Sequence, residues 1–576
     1  MKLTLQRQIA QLITVRVSGH LLDRQAQYPQ WEWSRDRLEP MIRELGIGGV
    51  LLFGGSVADV LLRVRQMQSW AKVPLLVCAD VEAGVGQRFA GATTFPPVAA
   101  LSELGEDGVR WARQMGQITA SEAVALGLNW LLAPVVDVQS NPDNPVIDVR
   151  AFGTDPERVA ELISAFIAGA QSEAILTTAK HFPGHGDTGT DPHLALPSLA
   201  HSRSRLESLE WVPFQQAISA GVNAIMSAHL MVPDLDPEWP ATLSPKILDG
   251  VLRQDWHYSG LIVTDAMTMG AMTRLFGDEE VVPSGELAVR AIEAGADIVI
   301  MPPDPEAAIQ AILDAVRQGR LTQRRITESC DRVLKAKQQV CNPAAMSALD
   351  PEASVPSPVA ASPMAAISSS DRHRISTLAK FAAAEISDLE PVERALQAIG
   401  QPESLACAEA IARAAVRGKS AASLPIAPAD GWLQWMWTDD LTRAAYAAPG
   451  CPAIEAATTY GLPTVRSDLL TPASLLESTL DAASDVVVWI FVQAGPFRGF
   501  GGLPPVVQHL LVERLDRVRA IACLGSRGCF DALAEIATPK GIPCLHAVSR
   551  GAIAQTEMTR LLWGQAFESA AAIPEC

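Results

Sequence analysis

Short apolar, β-prone runs alternate with amphipathic stretches through the first part of the chain, and the runs fall at 12–17, 49–53, 75–80, 130–137, 175–180, 224–229, 261–265 and 298–301. Between most of them lie segments with helical periodicity, at 57–70, 109–126, 156–170, 205–220, 285–294 and 305–318. Strands that are apolar at every position, and not only at alternate ones, are buried on both faces, the pattern of a parallel sheet covered by helices. Eight such strands suffice to close a (β/α)8 TIM-type barrel, while a doubly wound open sheet fits the same periodicity.

The pattern changes after residue 341. Residues 342–370 carry five prolines among Ala and Ser with almost no charge, and 371–423 read as Ala-rich helix, so 342–424 is expected to be a linker and helical connection. Apolar runs at 433–437, 486–492, 520–524 and 543–548 then alternate with helical segments such as 505–518. These make 425–576 a second α/β domain, a separate sheet covered by helices, behind a first domain at 1–341. A chain of 576 residues exceeds what one core normally organises.

Polar residues punctuate the strand ends. Asp80, Asp137, Lys180 with His181, His229 and Asp265 close five successive β-runs, and a parallel barrel builds its site at that carboxyl rim. An Asp in such a place also caps the helix that follows, which accounts for one or two of these positions but not for five in a row.

The richest stretch is 174–193, AILTTAKHFPGHGDTGTDPH, an apolar run that breaks into a Gly-rich loop carrying three of the ten histidines, His181, His185 and His193. Asp191 and His193 stand two apart across Pro192, a spacing that lets a carboxylate bond an imidazole and raise its basicity. Lys180–Gly186, KHFPGHG, followed by this Asp and His, resembles the signature of the β-N-acetylglucosaminidases of glycoside hydrolase family 3, with Pro192 where that family has Ser.

The resemblance implies a (β/α)8 barrel, with His193 as the acid/base, Asp191 as its partner, and Lys180 and His181 as sugar ligands. It assigns the nucleophile to Asp265 in LIVTDAMTM, where Ala266 follows in place of the Trp of the family's β-glucosidases. Asp80 and Arg88 in DVEAGVGQRF, Arg150 in NPVIDVRAFG and His229 in MSAHL fall on further family segments and join the sugar-binding set, with Ala83 and Ala151 as departures. His185 is expected to shape the loop. His229 divides evenly between lining the site and a structural hydrogen bond.

The activity so implied is a retaining exo-β-N-acetylglucosaminidase with no cofactor and no metal, acting on small N-acetylglucosaminides, cell-wall fragments among them. A neutral imidazole acid/base repels anions less than a carboxylate would, which keeps phosphorolysis open beside hydrolysis. A sugar-binding protein without chemistry is the remaining alternative. The formal net charge of -18 and pI near 5.1 argue against nucleic acid or an anionic membrane as partner. Arg7, Gln8, Gln11 and Arg16 interrupt the first apolar stretch, and the nine cysteines form no Cys-x-x-Cys, so a reducing, cytoplasmic setting is expected.

Overall fold

Eight parallel strands form where the apolar runs lie. The computed structural model describes residues 3–192, 195–273, 284–341, 390–420, 424–439, 445–492 and 503–565. β1 (Ile13–Ser18), β2 (Gly49–Phe53), β3 (Leu76–Ala79), β4 (Trp130–Leu131) and β8 (Val299–Ile300) make one sheet in the order β4-β3-β2-β1-β8. β5 (Thr178–Phe182), β6 (Ala224–Ser227) and β7 (Leu261–Thr264) make another, in the order β5-β6-β7. Parallel bridges Trp130↔Leu176 and Val263↔Ile298 join the two sheets at both seams.

Helices cross over between the strands, as parallel pairing requires. Val57–Trp70 leads from β2 to β3, Asp107–Ala125 from β3 to β4 and Pro156–Ala170 from β4 to β5. Their starts are written locally: the Ser56 hydroxyl accepts from the Asp59 N–H, and the Asp155 carboxylate from the Arg158 N–H with Pro156 in the first turn.

Two elements differ from expectation. The helix expected at 205–220 is two, Arg203–Ser208 and Trp211–Ser219, because Pro213 has no N–H to bond to the carbonyl four residues back. The fourth apolar run pairs as a strand only at Trp130–Leu131; Pro134 interrupts the ladder, and the chain continues to Asp137 with one further bridge, Val135↔Lys180.

Among the described residues the carboxy-terminal sheet has six strands, β9 (Arg417–Lys419), β10 (Trp432–Thr438), β11 (Thr464–Ser467), β12 (Asp485–Val492), β13 (Val518–Gly525) and β14 (Cys544–Ala547), in the order β11-β10-β12-β13-β14-β9. β10, β12, β13 and β14 arise from the four expected runs. β9 and β11 were not expected, since RGK and TVRS are too short and polar to stand out. β9 lies inside the stretch expected to be helical up to 423 and pairs antiparallel with β14, so that stretch ends as a sheet edge. Ahead of it, Pro402–Ala414 buries Cys407, Ala408 and Ile411 in the core of the eight-stranded part. Among the described residues no helix is long and apolar enough to cross a membrane, and eight cysteines are free and buried.

Candidate active site

The carboxyl ends of β3 to β7 bring the charged residues together. Lys180, on β5, has its ammonium 2.7 Å from Asp80 Oδ1 and 2.7 Å from Glu82 Oε1. Arg150 donates to both oxygens of Glu82, Nε at 2.9 Å and Nη2 at 2.8 Å. Arg88 donates from Nε to the Asp80 carbonyl at 3.0 Å, and its guanidinium lies 3.7 Å from the Asp80 carboxylate. Two carboxylates thus interleave with three cations.

Burial alone would push these groups toward their neutral forms, and the pairing overrides it. Arg150 and Lys180 hold the Glu82 carboxyl well below its usual range against the pull of desolvation. Asp80 and Glu82 in turn raise the Lys180 ammonium despite full burial, and Glu82 raises Arg150. Glu82, Arg150 and Lys180 are therefore charged at neutral pH and held in one orientation.

Asp137 organises the neighbouring loop. Its Oδ2 lies 2.8 Å from His181 Nδ1, and its carboxylate accepts the backbone N–H of His181 and, at 2.7 Å, that of His185. These bonds from His181 outweigh desolvation and keep the Asp137 carboxyl below its normal range. His185 Nδ1 lies 2.6 Å from Thr188 Oγ1, and burial, with His181 close by, pushes its imidazole down to about 4. Asn144 ties the loop from behind, donating to the carbonyls of His185 at 2.8 Å and Gly186 at 3.1 Å. Gly186 is required there: a Cβ would stand 1.7 Å from the Val138 carbonyl oxygen.

Asp265 follows directly on β7 and accepts the Ala266 N–H at 2.7 Å. Desolvation would raise it, yet the nearby His181 and His229 hold it below the usual carboxylate range. His229 donates from Nε2 to the Ala266 carbonyl at 3.0 Å and lies with Nδ1 2.8 Å from Thr242 Oγ1. It braces the backbone next to Asp265.

Asp80, Arg88, Arg150, Lys180, His181, His229 and Asp265 are thus brought into one cluster. Asp191 is buried in the loop after β5. Its expected partner His193 lies outside the described residues. Sequence reasoning had no role for Glu82 and placed Asp137 among the polar residues at the strand ends. The signals were present, Glu82 two residues past Asp80 and Asp137 at the end of the fourth run, but only the fold shows what each one holds.

Charged side chains gathered at the carboxyl ends of parallel strands are the arrangement with which α/β proteins bind small polar ligands. The family description "Glycosyl hydrolase family 3 N terminal domain" matches residues 4–336, and the chain belongs to glycoside hydrolase family 3. It is 34% identical over 282 residues to the Beta-hexosaminidase of Tolumonas auensis, covering 48% of this chain and 81% of that protein. It is 31% identical over 332 residues to Beta-hexosaminidase A of Pseudoalteromonas piscicida, covering 52% of this chain and 54% of the relative, so it spans about half that relative's length. A solved glycoside hydrolase family 3 β-N-acetylglucosaminidase from Paenibacillus sp. str. FPU-7 is similar over 98% of this chain and 97% of its own, with 26% identity and a TM-score of 0.73.

Proposed function

We propose that this protein is a retaining exo-β-N-acetylglucosaminidase, built as a (β/α)8 barrel at 1–341, a connection at 342–424 and an α/β sandwich domain from 425. The observation that carries the reading is the setting of Asp265. It is a carboxylate at the end of β7, kept ionised by His181 and His229, whereas Asp137 is engaged by three donors and Glu82 by two cations. An ionised oxygen at the rim that accepts no hydrogen bond among the described residues is what attack on an anomeric carbon needs.

In the first step an oxygen of Asp265 bonds to the anomeric carbon as the glycosidic oxygen leaves with a proton from His193. In the second, His193 takes a proton from water, the resulting hydroxide displaces Asp265, and N-acetylglucosamine departs. Asp191 is assigned to orient His193. Asp80, Arg88, Arg150, Lys180 and His181 are assigned to the sugar hydroxyls, and His229 to holding Ala266 beside the nucleophile. The relatives named β-hexosaminidase support the substrate class. A cytoplasmic place and cell-wall fragments as the natural source complete the proposal.

Trapping the glycosyl-enzyme with a fluorinated N-acetylglucosaminyl fluoride should add one sugar to the peptide that carries Asp265. Asp265→Asn should lose on the order of 10⁴-fold or more in 4-nitrophenol release from the N-acetylglucosaminide, as removal of a nucleophile does. A label on another carboxylate would move the nucleophile there. Running the reaction in phosphate and finding the sugar 1-phosphate in place of free sugar would replace hydrolysis by phosphorolysis. Sugar binding without turnover would leave a binding protein.

A further inference from the structure

The carboxy-terminal sheet reaches the sugar-binding arginine through one hydroxyl. Ser526 follows β13 and opens the helix Arg527–Ala537, where its Oγ accepts the Cys529 N–H. The same Oγ donates to Asp148 Oδ1 at 3.3 Å, across 378 residues of chain, and both side chains are buried. The amino end of a helix also favours a carboxylate placed against it.

Asp148 begins the tight turn Asp148–Arg150, whose last residue is the ligand Arg150. Its φ of +35° lies in the left-handed region, which a residue with a Cβ occupies under strain unless its surroundings hold it there. The turn is closed by the Arg150 N–H on the Ile147 carbonyl at 2.8 Å and the Ala151 N–H on the Asp148 carbonyl at 3.2 Å. Docking around it is close. Arg527 pairs with Glu103 at 2.5 Å, and a Cβ on Gly528 would stand 2.7 Å from the Pro142 carbonyl oxygen.

We infer that Ser526 is a positioning residue for the barrel's reaction: by holding Asp148 it fixes the turn that aims Arg150 at the sugar. The inference rests on the reading of Arg150 as a sugar ligand. A helix cap needs only an acceptor for its first N–H groups, and Ser526 supplies that through Cys529 alone. Its second bond falls on a strained residue two positions before a charged group of the site. Through this contact the carboxy-terminal unit contributes to substrate affinity.

The test uses the full-length enzyme, with N-acetylglucosamine binding by calorimetry, kcat and KM on the 4-nitrophenyl substrate, and Tm for each variant. Ser526→Ala should weaken sugar binding and raise KM about five- to tenfold, the worth of one typical hydrogen bond, with a smaller effect on kcat. Asp148→Gly, which accepts the left-handed backbone but has no carboxylate, should show the same loss, and it carries the test where Ser526→Ala folds poorly. Combining Ser526→Ala with Arg150→Ala should bind no worse than Arg150→Ala, because the two act as one unit. Unchanged affinity with a lowered Tm, or losses that multiply, would overturn the inference and leave the site reading standing. An Arg150→Ala enzyme with normal affinity would overturn both.

Discussion

His185 shows how a buried side chain writes itself into the pH dependence of the whole protein. Its imidazole takes a proton near 6.5 when unfolded and only at about 4 in the folded chain. Between those values the unfolded state holds the extra proton, so stability falls as pH drops from about 6.5 to about 4 and is flat above that window. The loss amounts to about 3 kcal/mol at most. His546, buried under Phe530 and also lowered to about 4 by desolvation, acts over the same window. Urea unfolding of His185→Gln should therefore be less pH-dependent than that of the parent. An identical slope would mean that folding leaves the proton affinity of His185 unchanged. The depressed carboxyls Glu82, Asp137 and Asp265 act further down: their stabilisation is complete above the unfolded pKa and disappears as pH falls through the folded one.

Several side chains of the helix Gln323–Val340 converge on one carboxylate of another segment. Asp297, fully buried just ahead of β8, accepts from Arg253, from the Ser329 hydroxyl and, at 3.1 Å, from Arg332, with Arg325 at 3.7 Å. It also accepts the Ile262 N–H at 3.0 Å, so β7 and the helix share one carboxylate. Asp297→Ala would leave three guanidiniums facing one another and should cost about 3–5 kcal/mol in chemical unfolding. The cluster sits at the amino ends of β7 and β8, away from the rim, so kcat measured where the variant is folded should stay near that of the parent. A selective fall in kcat with intact stability would contradict this separation.

Whole-molecule stability depends on surfaces that the chain covers with distant segments. Gly400 donates its N–H to Glu122 at 2.8 Å, and Ile399, Cys407, Ala408, Ile411 and Ala415 belong to the same apolar core as the eight-stranded part. A chain ending at residue 341 loses that cover and exposes apolar surface. It should aggregate on size exclusion where the full chain does not, and unfold at a lower temperature. A monomeric, equally stable fragment would show that the connection contributes no cover. The connection therefore matters for folding, whereas the proposed hold on Arg150 comes from the second unit.

What the sequence determined by itself was whatever repeats along the chain or sits next to its neighbours. Apolar runs placed all eight strands of the first part and four of the carboxy-terminal sheet, and the KHFPGHG segment announced the site. Both signals are local, one a period and the other a fixed spacing. The tertiary structure alone decided that Glu82 binds Arg150 and Lys180, that Asp137 is spent on His181 and His185, and that His229 braces Ala266. It also decided the edge strands β9 and β11, whose few polar residues become strands only because a neighbour offers its unpaired backbone. Hydrogen bonds between groups brought together from far along the chain leave no period behind. Ser526 and Asp148 are the extreme case, since nothing near either residue anticipates the other until two sheets meet.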